Sequence, residues 1–312
     1  MTQAPDVLVL GAGVIGCSAA ALLAEAGLGA LVVDREGVAA GASGRNSGVL
    51  QHPLHSPLSR FHAETLAMHR EVLDLPDEPD GILLLGATST TGLPADIASE
   101  VVPDARVCEP LLREAFPAVW VRTGWVVGPR AVTVAWADRA RAAGVRFAVG
   151  DGRDVTAGQT LLATGAWTAG VRPLWGVTQP VAGRARLLLQ DAAAGEAVGG
   201  AGGEAFTLCG DVLGSSASHG PPDPAAVVER LLRLAEPWVG RLSPVGRPRV
   251  CPRPSTHDGL PLVGRLDDQT WVCAGHGAWG ISTGPATARI VADAILGRAD
   301  PPPELDPTRA MP

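Results

Sequence analysis

Three glycines and one acid carry the first readable chemistry of this chain. Gly11, Gly13 and Gly16 follow the apolar run from Val7 to Leu10 at the spacing that gives a tight turn, lets backbone approach a diphosphate, and packs a helix close on a strand. The alanine-rich segment from Cys17 to Ala26 is a strong helix former that stops at Gly27. Its N-terminus offers free N–H groups and a positive dipole end to phosphate oxygens. A second apolar strand, Ala30 to Val33, delivers Asp34 eighteen residues after Gly16, within reach of ribose hydroxyls. Strand, turn, helix, strand and acid together specify a dinucleotide site, and the carboxylate of Asp34 argues against NADP because it would repel a 2′-phosphate.

Groups able to move protons are fewer. His52, His55, His257 and His276 are the histidines considered for acid or base work, since imidazole titrates near neutral pH. Tyrosine is absent, which removes phenol chemistry. Cys17, Cys108, Cys209, Cys251 and Cys273 are scattered, odd in number and without a CxxC pair, so neither a disulfide framework nor a metal site is expected. The 312 residues exceed the ~250 that one core usually serves, so two domains are expected. A balance of 25 basic against 32 acidic residues, net −7 with no basic block, argues against nucleic acid or an anionic membrane as partner. No apolar run approaches the ~18 residues of a membrane span, and MTQAPDV leads directly into the first strand, so a soluble, cytoplasmic protein is expected.

The elements that position these groups lie along the whole chain. Residues 35–50, REGVAAGASGRNSGVL, place small residues where a nicotinamide dehydrogenase would carry a substrate-binding strand. Read alone, Ala42 to Gly48 is equally a phosphate-binding run, with Ser43 and Arg45, or a flexible surface loop. Thr160 to Ala163 reads as a buried strand with Gly165 at its carboxyl end, where open α/β sheets bind ligands. Near the C-terminus, RPSTHDGLPLVG (Arg253 to Gly264) leads through the strand Trp271 to Ala274 into GHGAWGISTGPATARIVADAILG, with a helix from Pro285 to Leu296. Taken in order, GAGVIG with Asp34, ASGRNSG, LLATGAW and this C-terminal pair of motifs closely resemble the FAD-dependent oxidoreductases of the D-amino-acid oxidase, glycine oxidase and sarcosine oxidase family.

The resemblance implies an α/β fold. A Rossmann-like FAD-binding domain, discontinuous over 1–75, 134–170 and 253–312, carries an inserted substrate domain, a mixed, largely antiparallel β-sheet over 76–133 and 171–252. The implied FAD, non-covalent, is met by Gly11, Gly13, Val14, Ile15, Gly16, Asp34 and Arg35, and by Ser43, Gly44, Arg45, Asn46, Ser47 and Gly48. Thr164, Gly165 and Trp167 join them from the central motif. Gly275, Gly277, Ala278, Gly280, Ile281 and Ser282 form the loop that passes over the flavin pyrimidine, where the following helix favours negative charge at N1 and O2 of the reduced flavin.

Other elements follow from pattern. Leu58, Phe61, Thr65, Met68 and Val72 give an amphipathic helix beginning near Pro57, and a further helix runs from Val132 to Ala143. Ile82 to Leu85, Trp120 to Val127 and Arg186 to Leu189 read as short strands, and the Ala/Gly-biased residues 182–206 as a hairpin loop. One departure from the family is visible. Only GDGRDVTAGQT stands where relatives carry a small β-meander, which leaves Val155 as the adenine-contacting valine and adenine more exposed.

On this scaffold Arg253 is implied to anchor a substrate carboxylate by a bidentate, charge-assisted pair. Trp279 is placed to wall the substrate cavity; His276, in the flavin loop, and His52 are the leading proton carriers. Relatives that oxidise 2-hydroxy acids have a histidine where this chain has Gln51, one position before His52. Cys251 stands seven residues before Asp258, the spacing of the flavin-linked cysteine in sarcosine-oxidase-like members, but its flank CPRPSTHD follows the non-covalent pattern. The expected reaction is oxidation of an amine or amino acid by hydride transfer to flavin N5, giving an imine, with oxygen or another acceptor taking the electrons. The alternatives are a 2-hydroxy-acid dehydrogenase using His52 or His276 as base, and a non-catalytic flavoprotein subunit of a complex. Homo- or hetero-oligomers are compatible with either.

Overall fold

Val7–Leu10 is buried on both faces because it lies inside a six-stranded sheet. The strand order is Leu262–Arg265, Thr270–Ala274, Gln159–Leu162, Val7–Leu10, Ala30–Asp34 and Arg146–Val149. All pairs are parallel except the first, with Val7 opposite Ala30 on one side and Gln159 on the other. The computed structural model describes residues 4–54, 56–186, 188–191, 206–214 and 217–310; His55 and residues 192–205 of the expected hairpin loop lie outside them. Helix Val14–Glu25 packs against both Ala131–Ala142 and Gly280–Ile295. Its buried Ala19, Ala20 and Ala21 leave little side chain between the axes, and Trp136 fills the core nearby. Residues 150–158 join two strands of this sheet without a strand of their own, so the expected loss of the meander is observed. No described helix is long and apolar enough to cross a membrane.

The second sheet, nine-stranded among the described residues, is mixed and largely antiparallel. Its axis is the eleven-residue strand Arg172–Ala182, which pairs along one stretch with Arg249–Ser255 and along the other with Val212–Gly214 and Ser243–Pro244. The run expected over Trp120 to Val127 is two strands, Ala118–Val121 and Trp125–Val126, separated by a turn at Gly124. A reading of 171–252 as short β runs misses the helix Pro224–Val239, which buries Val228, Leu231, Ala235 and Val239 on one side. Asp223 caps it by accepting from the Ala225 N–H at 3.0 Å, with Pro224 at the first helical position.

The last helix begins at Gly280, five residues before the expected start, and so contains Pro285. Proline has no N–H to return to the carbonyl four residues back. Buried side chains take over: His69 Nε2 donates to the Ile281 carbonyl at 2.7 Å while its Nδ1 accepts from Trp136 Nε1–H at 3.1 Å. His62 Nδ1 donates to the Ser282 carbonyl at 3.2 Å, and Thr65 Oγ1 accepts the Ala286 N–H at 3.2 Å. These three residues lie on the 3₁₀-to-α segment Pro57–Phe61 and His62–Arg70, the amphipathic helix anticipated near Pro57.

Burial lowers His62 and His69 to about 4, so both rings stay neutral in the fold. The unfolded chain, with ordinary histidines near 6.5, binds more protons between the two values. Stability is therefore complete above about pH 6.5 and lost as pH falls towards 4. Thermal unfolding across pH 7 to 4 will show a falling midpoint. His69→Leu will flatten part of that fall and cost about 2–4 kcal/mol at pH 7, from two buried polar groups left unpaired.

Candidate active site

The site begins where the first strand ends. Gly11 has φ +110°, and a Cβ there would collide with the Ala163 carbonyl, while a Cβ on Gly16 would collide with the Gly11 carbonyl. First strand, first helix and the Ala163–Thr164 backbone are therefore held at contact distance. Asp34 fixes the turn from the second strand: Oδ2 accepts the Ala12 N–H, and Oδ1 accepts the N–H groups of Glu36 and Gly37, each at 2.9 Å. Gly13 caps the first helix with no side-chain hydrogen bond, and Ser43 Oγ accepts the Val14 N–H at 3.1 Å. The first turn of this helix faces a cavity of about 430 Å³.

That cavity brings together most of the anticipated cofactor residues. Gly11, Gly13, Val14 and Ile15 line it with Asp34 and Arg35, and so do Ser43, Arg45 and Asn46 from the short helix Ala42–Arg45 and its cap. Thr164, Gly165 and Trp167 join them, with Gly277, Ala278, Gly280 and Ile281 from the start of the last helix. An uncapped helix N-terminus, a carboxylate at the neighbouring strand end and a cavity of this size fit a dinucleotide such as FAD.

The remaining anticipated residues support the lining from behind. Gly16 and Gly44 are points of backbone crowding, and Gly48 sits at φ +76° where Val49–Leu50 begins to pair with Trp125–Val126. Ser47 and Ser282 are also off the lining; Ser282 Oγ accepts the Gln51 N–H at 3.2 Å. Gly275 packs on Thr256 and Pro261. Asn46 acts as a clamp, its Nδ2 donating to the carbonyls of Ser43 at 2.7 Å and Pro129 at 3.0 Å. Val155 lies off the cavity. Gly150, Asp151 and Arg153 line it instead, because the short link after Val149 folds back at that edge. Glu36, which sequence reasoning passed over, also lines it and pairs with Arg45 at 3.3 Å.

Arg253 lies on the cavity, on the strand Arg249–Ser255. Its guanidinium lies over Gly176, where any Cβ would strike it, and beside the Cys251 thiol. Burial pushes that thiol up, against the opposing charges of Arg253, Arg45 and Arg249, so Cys251 stands protonated. His276 is among the lining residues, but its side chain is fully buried and its Nδ1 has no hydrogen-bond partner among the described residues. Thr287 Oγ1 donates to the Gly284 carbonyl at 2.8 Å, so His276 Nε2 is the donor in their 2.7 Å contact. Burial lowers His276 to about 3. His52 is buried edge-on against His62, 5.3 Å between ring centroids, and lies off the cavity. Trp279 packs against the main core, and His257 is exposed on a loop.

Asp34→Ala removes the acceptor of three backbone N–H groups that shape the turn. The purified variant will lose most of its flavin absorbance on gel filtration, while Asp34→Asn, which keeps one oxygen acceptor, will retain a larger share.

Comparison with known proteins agrees with this geometry. The chain is 29% identical over 330 aligned positions to the tRNA 5-methylaminomethyl-2-thiouridine biosynthesis bifunctional protein MnmC of Maricaulis maris, covering 93% of this chain and 52% of that protein. It therefore spans about half the length of that relative. Its fold matches glycine oxidase from Geobacillus kaustophilus, with TM-score 0.78, 21% identity and 99% of each chain covered. L-proline dehydrogenase from P. horikoshii gives TM-score 0.78 at 17% identity, covering 99% of this chain and 98% of that one. The family model "FAD dependent oxidoreductase" matches residues 6–294. The chain belongs to this family of FAD-dependent oxidoreductases.

Proposed function

We propose that this enzyme oxidises a small amine or amino acid, with the substrate carboxylate on Arg253. The observation that carries the reading is the composition of the lining: an arginine placed for a carboxylate, and no available base beside it. Of the lining carboxylates, Asp34 is engaged by backbone and Glu36 by Arg45; Asp151 pairs with Arg153 at 3.0 Å. The His276 ring is fully buried, its Nε2 is taken up by Thr287 and burial keeps it neutral. A neutral amine gives up a hydride from its carbon and becomes an imine without prior loss of a proton, whereas a hydroxyl must lose its proton to a base. When bound, FAD supplies the hydride acceptor. The chain's own part is to hold the carboxylate, orient the C–H and exclude water. The proposed division into a cofactor part (1–75, 134–170, 253–312) and a substrate part (76–133, 171–252) is supported by the six-stranded sheet, whose strands all fall in the first part. The strand Arg249–Ser255 runs across the boundary in the second sheet, and Val49–Leu50 pairs across it with Trp125–Val126. The cofactor residues on the lining keep the roles the family resemblance gives them, while Gly16, Gly44, Ser47, Gly48, Gly275 and Ser282 support it from behind and Val155 lies off it.

The name of the MnmC relative adds modified tRNA as a competing substrate. The net charge of −7 favours a small molecule. Anaerobic flavin bleaching with glycine, sarcosine, proline, D-amino acids and 2-hydroxy acids decides between readings. Bleaching by an amine or amino acid is the expected result. Arg253→Ala will raise the apparent Kd for that substrate about 100-fold, as expected for a lost bidentate charge pair. His276→Gln will leave the reduction rate and its pH profile unchanged within a few-fold. Bleaching by hydroxy acids alone, or its loss in His276→Gln, overturns the amine reading.

A further inference from the structure

Gly176 stands in the middle of the strand Arg172–Ala182, where a glycine packs no side chain and weakens the pairing. Its backbone has no need of glycine, since its φ is not positive. What excludes a side chain there is Arg253. A Cβ on Gly176 would stand 2.7 Å from Arg253 Cζ and 3.1 Å from its Nε, with Nη2 closer still. Outside its own stretch of chain, the three atoms nearest to that Cβ all belong to this one guanidinium. A glycine inside a strand often marks the close approach of another group, and here the group is the proposed carboxylate anchor.

The backbone at Gly176 is pinned on both edges. On one it pairs with Cys251, inside a ladder of seven residue pairs from Arg172–Ser255 to Thr178–Arg249. On the other, Trp175 and Ser218 exchange backbone hydrogen bonds of 2.8 and 3.0 Å. Thr178, the next residue on the same face, donates from Oγ1 to the Arg45 carbonyl at 3.0 Å and ties the strand to the cofactor loop. The Arg253 side chain is the part free to move, because it is half-buried at the cavity and has no ion-pair partner among the described residues. A methyl group at 176 is therefore relieved by displacing the end of a flexible side chain, not by moving the sheet. The anchor then keeps its charge and loses its place.

We propose that Gly176 is the positioning residue of the carboxylate anchor: its bare backbone seats the Arg253 guanidinium and so fixes where a substrate carboxylate docks in the cavity shared with the cofactor loop. The proposal rests on the reading of Arg253 as that anchor. Glycine at 176 is then a requirement of ligand binding and not of folding.

Calorimetric titration of the FAD-loaded protein with acetate and propionate tests it without turnover. Gly176→Ala will keep its flavin and its thermal midpoint, and will bind both acids about tenfold more weakly, as expected when one charge-assisted contact of a bidentate pair is misplaced. Arg253→Met, which removes the pair altogether, will weaken binding about 100-fold. Arg253→Lys keeps the charge without the fork that lies over Gly176, so adding Gly176→Ala to it will change affinity by less than about twofold. Undiminished carboxylate binding by Gly176→Ala, beside a loss in Arg253→Met, overturns the proposal and leaves Arg253 as the anchor. A Gly176→Ala effect of the same size in the Arg253→Lys background also overturns it, since the methyl group then acts without the guanidinium. So does a large fall in the thermal midpoint of Gly176→Ala, which would assign the glycine to the fold. Undiminished binding by Arg253→Met removes the anchor reading itself and the proposal with it, and that one variant tells the two failures apart.

Discussion

How closely backbone meets backbone beyond Leu10 governs everything at the candidate site. The turn at Gly11, the first turn of the first helix at Gly16 and the carbonyl of Ala163 stand so close that a single methyl group on either glycine would collide with backbone. Parallel pairing of Val7–Leu10 with both Ala30–Asp34 and Gln159–Leu162 forces three strand ends to the same edge of the sheet. The cavity opens at that edge, and a free helix N-terminus faces into it. Asp34 converts crowding into order, since one carboxylate accepting three N–H groups fixes the loops that leave two different strands.

The second constraint is the satisfaction of buried polar groups in the last helix. Pro285 allows the helix to reach back to Gly280, at the cavity, only because His69 completes the Ile281 carbonyl. His62, Thr65 and Trp136 extend the arrangement, so the support of the cofactor loop depends on rings that must remain neutral. His276 is committed in the same way to Thr287. Of the histidines considered as proton carriers, His276 is thus tied to the core, His52 is buried off the cavity and His257 is exposed on a loop.

Legibility in the sequence tracked the locality of the cause. The glycine turn, the helix after it and Asp34 were readable because each effect acts within one strand–helix–strand unit, and most anticipated cofactor residues do line the cavity. The helix Pro224–Val239 was hidden by the Pro and Gly around it, although Asp223–Pro224 and the spacing of Val228, Leu231 and Ala235 are signals of a capped amphipathic helix. The start of the last helix at Gly280 could not be read, because the tolerance of Pro285 comes from a histidine more than 200 residues away. The burial of His276 against Thr287 is likewise not readable from motif position, which fixes its backbone but not its side-chain partner.

Charge placement joins these threads. The chain is acidic overall, yet three guanidiniums, Arg45, Arg249 and Arg253, bear on one buried thiol at the junction of the two sheets. Among the described residues, Arg45 alone of the three has an ion-pair partner, Glu36, while the charge of Asp211 bears on Arg249. The charge of Arg253 stands at the partly enclosed cavity, where it acts more strongly than the dispersed negative charge of the surface. A polyanion the size of a nucleic acid meets the acidic exterior first, whereas a small carboxylate can enter the recess. On the proposed reading, that positive charge holds an amino acid by its anionic end and favours the neutral form of its amine, which is the protonation state that hydride loss requires.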